Sequence, residues 1–245
     1  MPELDYYEER CALAAAFRLA FREGWHEAVA NHFSLAVSED GKTFLINPAG
    51  LHFSRIKASD LILCDANGPA PTVGQENAPD PTAWAIHGAF HRHEPRARAC
   101  LHVHADNATA LSCIVGAELP PIDQNTARFF RRYGYDDGYG GMGLGSEGER
   151  ISKTLGPHRI LVMGNHGVMA AAESVARAFD ELYYFERACG TYLKAAATGL
   201  PLKVLSDDIA EKTARDWEDY PMETWDQHFE AMCAILDQEG SDYRD

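Results

Sequence analysis

Between Ala99 and Asp106 the chain reads Ala-Cys-Leu-His-Val-His-Ala-Asp, an apolar stretch carrying two histidines one residue apart. Residues i and i+2 of a β-strand project from the same face. The stretch therefore predicts a strand that offers two imidazoles, His102 and His104, side by side. One ion needs more ligands than that. A second apolar run of β character, Arg159–Met163, leads into the glycine-bounded turn Gly164–Asn165–His166–Gly167. His102, His104 and His166 are the expected metal ligands, since three histidines with an open position form a recognised catalytic zinc set. Zinc is the first expectation, and manganese and iron also take imidazole. For the histidine pair taken alone, the competing reading is a strand with one buried, hydrogen-bonded histidine.

The 245 residues are 46% hydrophobic, ample for a packed core. No linker, repeat or low-complexity tract divides them, so one domain over 1–245 is expected, with a helical extension from about residue 200. The net charge of −15 argues against nucleic acid and anionic membrane as partners. Cys11, Cys64, Cys100, Cys113, Cys189 and Cys233 show no C-x-x-C spacing, and most sit in apolar runs. Buried reduced thiols are favoured over disulfides. Met1–Arg10 is acidic and polar, unlike a signal peptide, and no apolar run is long enough for a bilayer. The expectation is a cytoplasmic protein.

Taken in order, Tyr6–Arg22 has helical apolar spacing and stops at Gly24. Glu27–Val37 predicts a strand with Phe33, Leu35 and Val37 on one face, paired through the turn Glu39–Lys42 with a strand over Thr43–Asn47. A short strand is expected within Ala58–Cys64, and a proline-rich loop over Pro71–Pro81. Asp80 caps a helix from Pro81 to His93. A helix from about Asn107 to Val115 follows the histidine strand, and Asp106 is expected as its cap or as a hydrogen-bond partner of the metal ligands. Leu119–Asn125 reads as irregular, and Phe129–Gly148, rich in tyrosine and glycine, as a mobile or pocket-lining loop. A helix starts at Ile151–Leu155, and a strand covers Ile160–Met163. Helices then run from Ser174 to about Thr198, from Ser206 to about Trp217 and from Met222 to Glu239. This interleaving favours an α/β fold with a largely antiparallel or mixed sheet covered by helices on both faces.

Several of these landmarks, in this order, resemble the class II aldolase/adducin family. Ala30–Asn31 through Ser34 is similar to its glycine-asparagine strand start, and Asn47–Pro48–Ala49–Gly50 to its threonine-glycine loop. Trp84–Ala85–Ile86–His87 and Pro95 then lead to His102 and His104, and Asn165–His166–Gly167 resembles the third-ligand turn. The resemblance spans about Tyr7 to Leu200. It implies a three-layer helix–sheet–helix sandwich, a homo-oligomer that is usually a C4-symmetric tetramer, and an active site at a subunit interface. It also implies a divalent metal on three histidines, with Asn31, Gly50 and Thr82 as substrate-binding positions. The sugar-phosphate aldolases open the helix with Ser-Ser-Glu, whose glutamate is the catalytic acid/base. Here the run is Pro81–Thr82–Ala83, and the loop threonine is Ala49. Alanine cannot transfer a proton, so the proton chemistry must be reassigned, and a sugar phosphate is a disfavoured substrate.

The implied chemistry is that of a Lewis-acid metal chelating two oxygens of a small-molecule substrate and stabilising an enolate. Decarboxylation starts from a carboxylate, whereas retro-aldol cleavage needs a base for the hydroxyl proton. Losing the glutamate therefore favours a carbon–carbon lyase that decarboxylates a hydroxy acid, and the aromatic loop suits a flat one. Retro-aldol cleavage of a non-phosphorylated compound, a non-catalytic adducin-like module and an iron oxygenase stay open. Glu76, His52 and Tyr133 are candidate catalytic proton donors; for Glu76 a solvated loop carboxylate is an equal reading. Arg128 can pair with a substrate carboxylate through its planar fork, or form a surface salt bridge. His87, His91 and His93 make a rival cluster in which i and i+4 share a helix face, for metal or for packing.

Overall fold

The computed structural model describes residues 4–141, 146–220 and 224–245. Helix α1 (Tyr7–Arg22) precedes strands β1 (His32–Ala36) and β2 (Thr43–Ile46), two one-turn 3₁₀ helices and β3 (Ile62–Asp65). Then come α2 (Pro81–His93), β4 (Ala99–Val103), α3 (Asp106–Ser112), α4 (Gln124–Arg128), β5 (Tyr133–Asp136) and α5 (Glu147–Thr154). Strands β6 (Ile160–Met163) and β7 (Gly167–Ala172) lead to α6 (Val175–Ala196), α7 (Asp207–Glu218) and α8 (Thr224–Gln238). The seven strands form one sheet in the order β3-β2-β1-β4-β7-β6-β5. Only β5 and β6 run parallel; every other pair is antiparallel. With helices on both faces, this is the expected three-layer α/β sandwich.

The alternation of β1 and β4 decides which layer each side chain joins. Phe33, Leu35, Leu101 and Val103 face α1 and α6, where Phe17 stacks on Phe33 with centroids 4.5 Å apart. Burying aromatics of this size supplies much of the folding drive, at about 25 cal/mol per Å² of apolar surface. Cys100 faces the other way, against Ile86 and Phe90 of α2, Ile151 of α5 and Leu155 just after it. Both faces of β1 are buried, including polar His32 and Ser34. The sequence reading of one apolar face missed this, because the second face is filled by hydrogen-bonded polar groups.

Other differences have local causes. Asp123 caps α4 through the Thr126 amide, giving helix where an irregular section was expected. Tyr133–Asp136 is an edge strand rather than loop, held by β6. The remainder of the expected loop includes 142–145, outside the described residues, as does Met222, the expected start of the last helix. Gly167–Ala172, whose small residues give no strand signal in the sequence, is a fully buried interior strand. Ala105, not Asp106, is the residue before α3, and Asp106 lies in its first turn. The six cysteines are free thiols. Among the described residues no helix is long and apolar enough to cross a membrane.

Candidate metal centre

Register brings the histidines together. His32 on β1 pairs directly with His102 on β4. His104 lies just past the end of β4, and His166 lies in the turn entering β7, the strand paired with β4. Ring centroids are 5.0 Å apart for His102 and His104, 4.9 Å for His102 and His166, and 5.0 Å for His104 and His166. A ligand atom from each ring lies within 4.8 Å of the other two. Gly167 permits this approach: a Cβ there would meet the Val103 carbonyl at 2.7 Å and His104 Cδ2 at 2.8 Å.

The nitrogens are prepared for ligation. His102 Nδ1–H donates to the Val168 carbonyl at 3.1 Å, which leaves its Nε2 unprotonated. His104 Nδ1–H donates to the Glu27 carboxylate. Both arrangements are the outer partners that orient metal-binding imidazoles. His104 Nε2 and His166 Nδ1 are buried with no hydrogen-bond partner. Burial and the neighbouring His104 push the His166 pKa down to about 4, and burial keeps His102 well below the ordinary range. Buried imidazole nitrogens without a partner fit a divalent cation.

The three rings open into a cavity of about 1000 Å³. Asn31, Gly50 and Thr82 line it. Asn31 has a left-handed backbone, φ 72°. Its Oδ1 accepts from the Glu27 amide, and its Nδ2 is buried without a partner. Thr82 donates its hydroxyl to Asp80. Tyr139, from the aromatic loop, sets its ring 6.2 Å from His166.

Four expected site residues do not line this cavity. Tyr133 is turned inward, its hydroxyl donating to Ala117 O and accepting from Leu119 N, both at 2.9 Å. Arg128 is neutralised inside the fold by Asp180 at 2.8 Å and Glu181 at 3.3 Å, and lies over the Tyr184 and Trp217 rings. A guanidinium so paired has no free fork for a substrate. His52 caps a 3₁₀ turn, with Nδ1 2.8 Å from Ser54 Oγ and its ring against His26. Glu76 is an exposed loop residue. Glu27, Asp80 and Asp106 instead bring carboxylates to the wall. The available signal was positional: Asp80 precedes the helix turn holding Ala83, and Glu27 precedes the Asn31 strand start.

His87 and His91 lie outside the group formed by His102, His104 and His166. They are buried on one face of α2 and meet Ser34 of β1. His93 stands apart, paired with Glu149.

A family model, Class II Aldolase and Adducin N-terminal domain, matches residues 11–193. A Caulobacter vibrioides protein with a provisional class 2 aldolase name is 30% identical over 213 residues, 85% of this chain and 80% of that protein. Alpha-adducin of Rattus norvegicus is 29% identical over 245 residues, 94% of this chain but 33% of adducin, so the chain spans one third of that relative. The crystal structure of an aldolase II superfamily protein from Pseudomonas syringae superposes with a TM-score of 0.90 at 30% identity, covering 99% of this chain and 97% of that one.

Proposed function

The chain belongs to the class II aldolase and adducin N-terminal domain family, and from that footing we propose that it is a divalent-metal-dependent carbon–carbon lyase. Its preferred reaction in this reading is decarboxylation of a hydroxy acid, aromatic acids included, rather than cleavage of a sugar-phosphate aldol. One observation carries the metal part: His102, His104 and His166 each bring a ligand atom within 4.8 Å of the others, and His104 Nε2 and His166 Nδ1 are buried without a partner. Leaving a buried polar atom unpaired costs about 1–3 kcal/mol, and ligation removes that cost. Zinc is the first expectation for His102, His104 and His166, with manganese or iron compatible. A divalent ion there supplies positive charge that stabilises negative charge developing on substrate oxygen.

The chain's own groups supply the rest. Asp80 stands at the cavity wall three residues before Ala83, its Oδ1 fixed by the Thr82 amide at 2.8 Å. It takes the proton-transfer role that Ala83 cannot fill. Decarboxylation needs one proton, delivered to the carbon that has lost carbon dioxide, and no prior deprotonation of a hydroxyl. The unpartnered Asn31 amide is available to a substrate oxygen. The Thr82 hydroxyl is already committed to Asp80, and that carboxylate opposes a phosphate dianion. Both features favour a non-phosphorylated substrate. A homo-oligomer, tetrameric as the family resemblance implies, and a cytoplasmic location complete the reading.

The test is metal analysis of the purified chain, then a screen of hydroxy acids for carbon dioxide release and of aldols for cleavage. The expected result is one ion per chain, lost in His104→Ala, with carbon dioxide released from a hydroxy acid. Aldol cleavage without decarboxylation would reverse the preference. A metal-free, inactive protein would point to an adducin-like interaction module, and oxygen consumption with ferrous iron to an oxygenase.

A further inference from the structure

A second cavity, of about 660 Å³, opens between α4, α6, α7 and α8 and shares no lining residue with the histidine cavity. Its volume suits a small ligand. Tyr184 of α6, Trp217 near the end of α7 and Tyr220 just beyond that helix put three aromatic rings on its wall. The Tyr184 and Trp217 centroids are 5.9 Å apart with planes inclined by 46°, and those of Trp217 and Tyr220 are 6.4 Å apart and inclined by 47°. Tilted rather than stacked, the rings do not cover one another's faces.

Asp123, Asp180 and Asp216 bring carboxylates to the same wall, and no lysine or arginine among the described residues lines it. The three carboxylates are not equivalent. Asp180 is spent on Arg128 at 2.8 Å and His228 at 2.9 Å. Asp123 gives Oδ1 to the Thr126 amide and hydroxyl, and that cap leaves Oδ2 unused. Asp216 pairs with Lys212, but both side chains are mostly exposed, and such pairs hold their ions weakly. Two carboxylates therefore border the cavity without a buried counter-ion. The rings themselves are suited to cations. Arg128 Cζ lies 4.7 Å from the Tyr184 centroid and 5.1 Å from that of Trp217. Trp217 borders both this cavity and a smaller one of about 50 Å³, and Arg128 lines only the smaller. The guanidinium thus puts no positive charge on the wall of the larger cavity.

An anion entering here would meet two carboxylates. A neutral flat molecule would pack on the rings but leave the carboxylates uncompensated. A positive charge answers both, because aromatic faces and carboxylates attract cations alike. We infer that this cavity binds a small organic ammonium ion, with its alkyl groups against Trp217 and Leu205 and its charge met by the rings together with Asp123 and Asp216. The site lies apart from the proposed lyase centre and does not depend on a metal there.

Choline and its neutral tert-butyl analogue, in which carbon replaces the ammonium nitrogen, share a shape and differ in charge. Titration calorimetry of the unaltered full chain with each therefore isolates the charge. Choline should bind once per chain, about tenfold tighter than the analogue, and should shift the Trp217 indole N–H signal in proton–nitrogen spectra. Tyr220 is half exposed, so Tyr220→Ala should keep the fold and weaken choline binding about two- to fivefold. Asp123→Asn retains a helix-capping side chain and should weaken choline while leaving the analogue as it was. Equal affinities for the two molecules overturn the cation reading, as does choline binding that neither variant weakens. No choline binding at millimolar concentration, or binding that moves signals of the histidine cavity and not that of Trp217, overturns the site. All of these readouts are taken without added metal, so their failure leaves the lyase reading where it stands.

Discussion

Glu27, on the loop before β1, accepts a hydrogen bond from His104 Nδ1 and so turns the opposite nitrogen of that ring, which has no other partner, toward the histidine cluster. A carboxylate behind a ligating imidazole fixes its tautomer and raises its basicity.

Glu27→Gln should weaken zinc binding by about 10–100-fold, the usual cost of losing such a partner. Because Glu27 is exposed, the thermal midpoint of the metal-free protein should hardly move. Competition with a chromogenic chelator checks the first, and calorimetry the second. Unchanged affinity would reduce the contact to a surface pair.

Asp80→Asn separates capping from proton transfer. Asparagine caps a helix about as well as aspartate, so folding and metal content should stay as they are. Turnover should fall by about 10²–10⁴, the range for removing a positioned acid or base. Full activity in the folded variant would assign the proton to another group, Glu27 and Asp106 being the other carboxylates on the wall.

Gly167→Ala should act through backbone crowding. The added methyl would sit 2.7 Å from the Val103 carbonyl and 2.8 Å from His104 Cδ2, so β4 and β7 must part or the ring must shift. A loss of about 1–3 kcal/mol, typical of overpacking, is expected in denaturant unfolding, with weaker metal binding alongside. Metal binding unchanged in this variant would mean that the turn relaxes without moving His104.

Acid should unfold the protein by titrating the unfolded chain. Burial lowers the pKa values of His87 and His91 from 6.5 to about 3. Above 6.5 both states are neutral, and the stability tied to these rings is fully present. Between about pH 6.5 and 3 the unfolded chain binds protons that the folded chain refuses, so stability falls with acid, by about 1.4 kcal/mol per pH unit per ring. Urea midpoints measured from pH 7.5 to 4.5 in metal-free buffer test this. His91→Gln should flatten the slope by about one proton, and a pH-independent unaltered protein would contradict it.

Local pattern was enough where a residue's role follows from its near neighbours. The period of 2 placed His102 and His104 side by side, and the period of 3.6, with Asp80 as the cap of α2, placed α2 and α6. The turn around His166 completed the histidine set. Local pattern failed where partners are distant. Tyr133 and Arg128 have the chemistry of a site, but the Ala117 carbonyl and the Asp180 carboxylate consume it. His32 carries no local signal of a role, and only the approach of α2 brings it against His87.

The order of apolar runs, caps and turns thus determined most of the α/β elements and singled out the three histidines that the fold brings together, because these depend on spacing along a few residues. Only the tertiary structure decided which carboxylates reach the cavity, which polar side chains are spent on internal pairs, and that His32 meets His87. Those depend on strand register between β1 and β4 and on the packing of α2 against them, which join residues more than fifty positions apart.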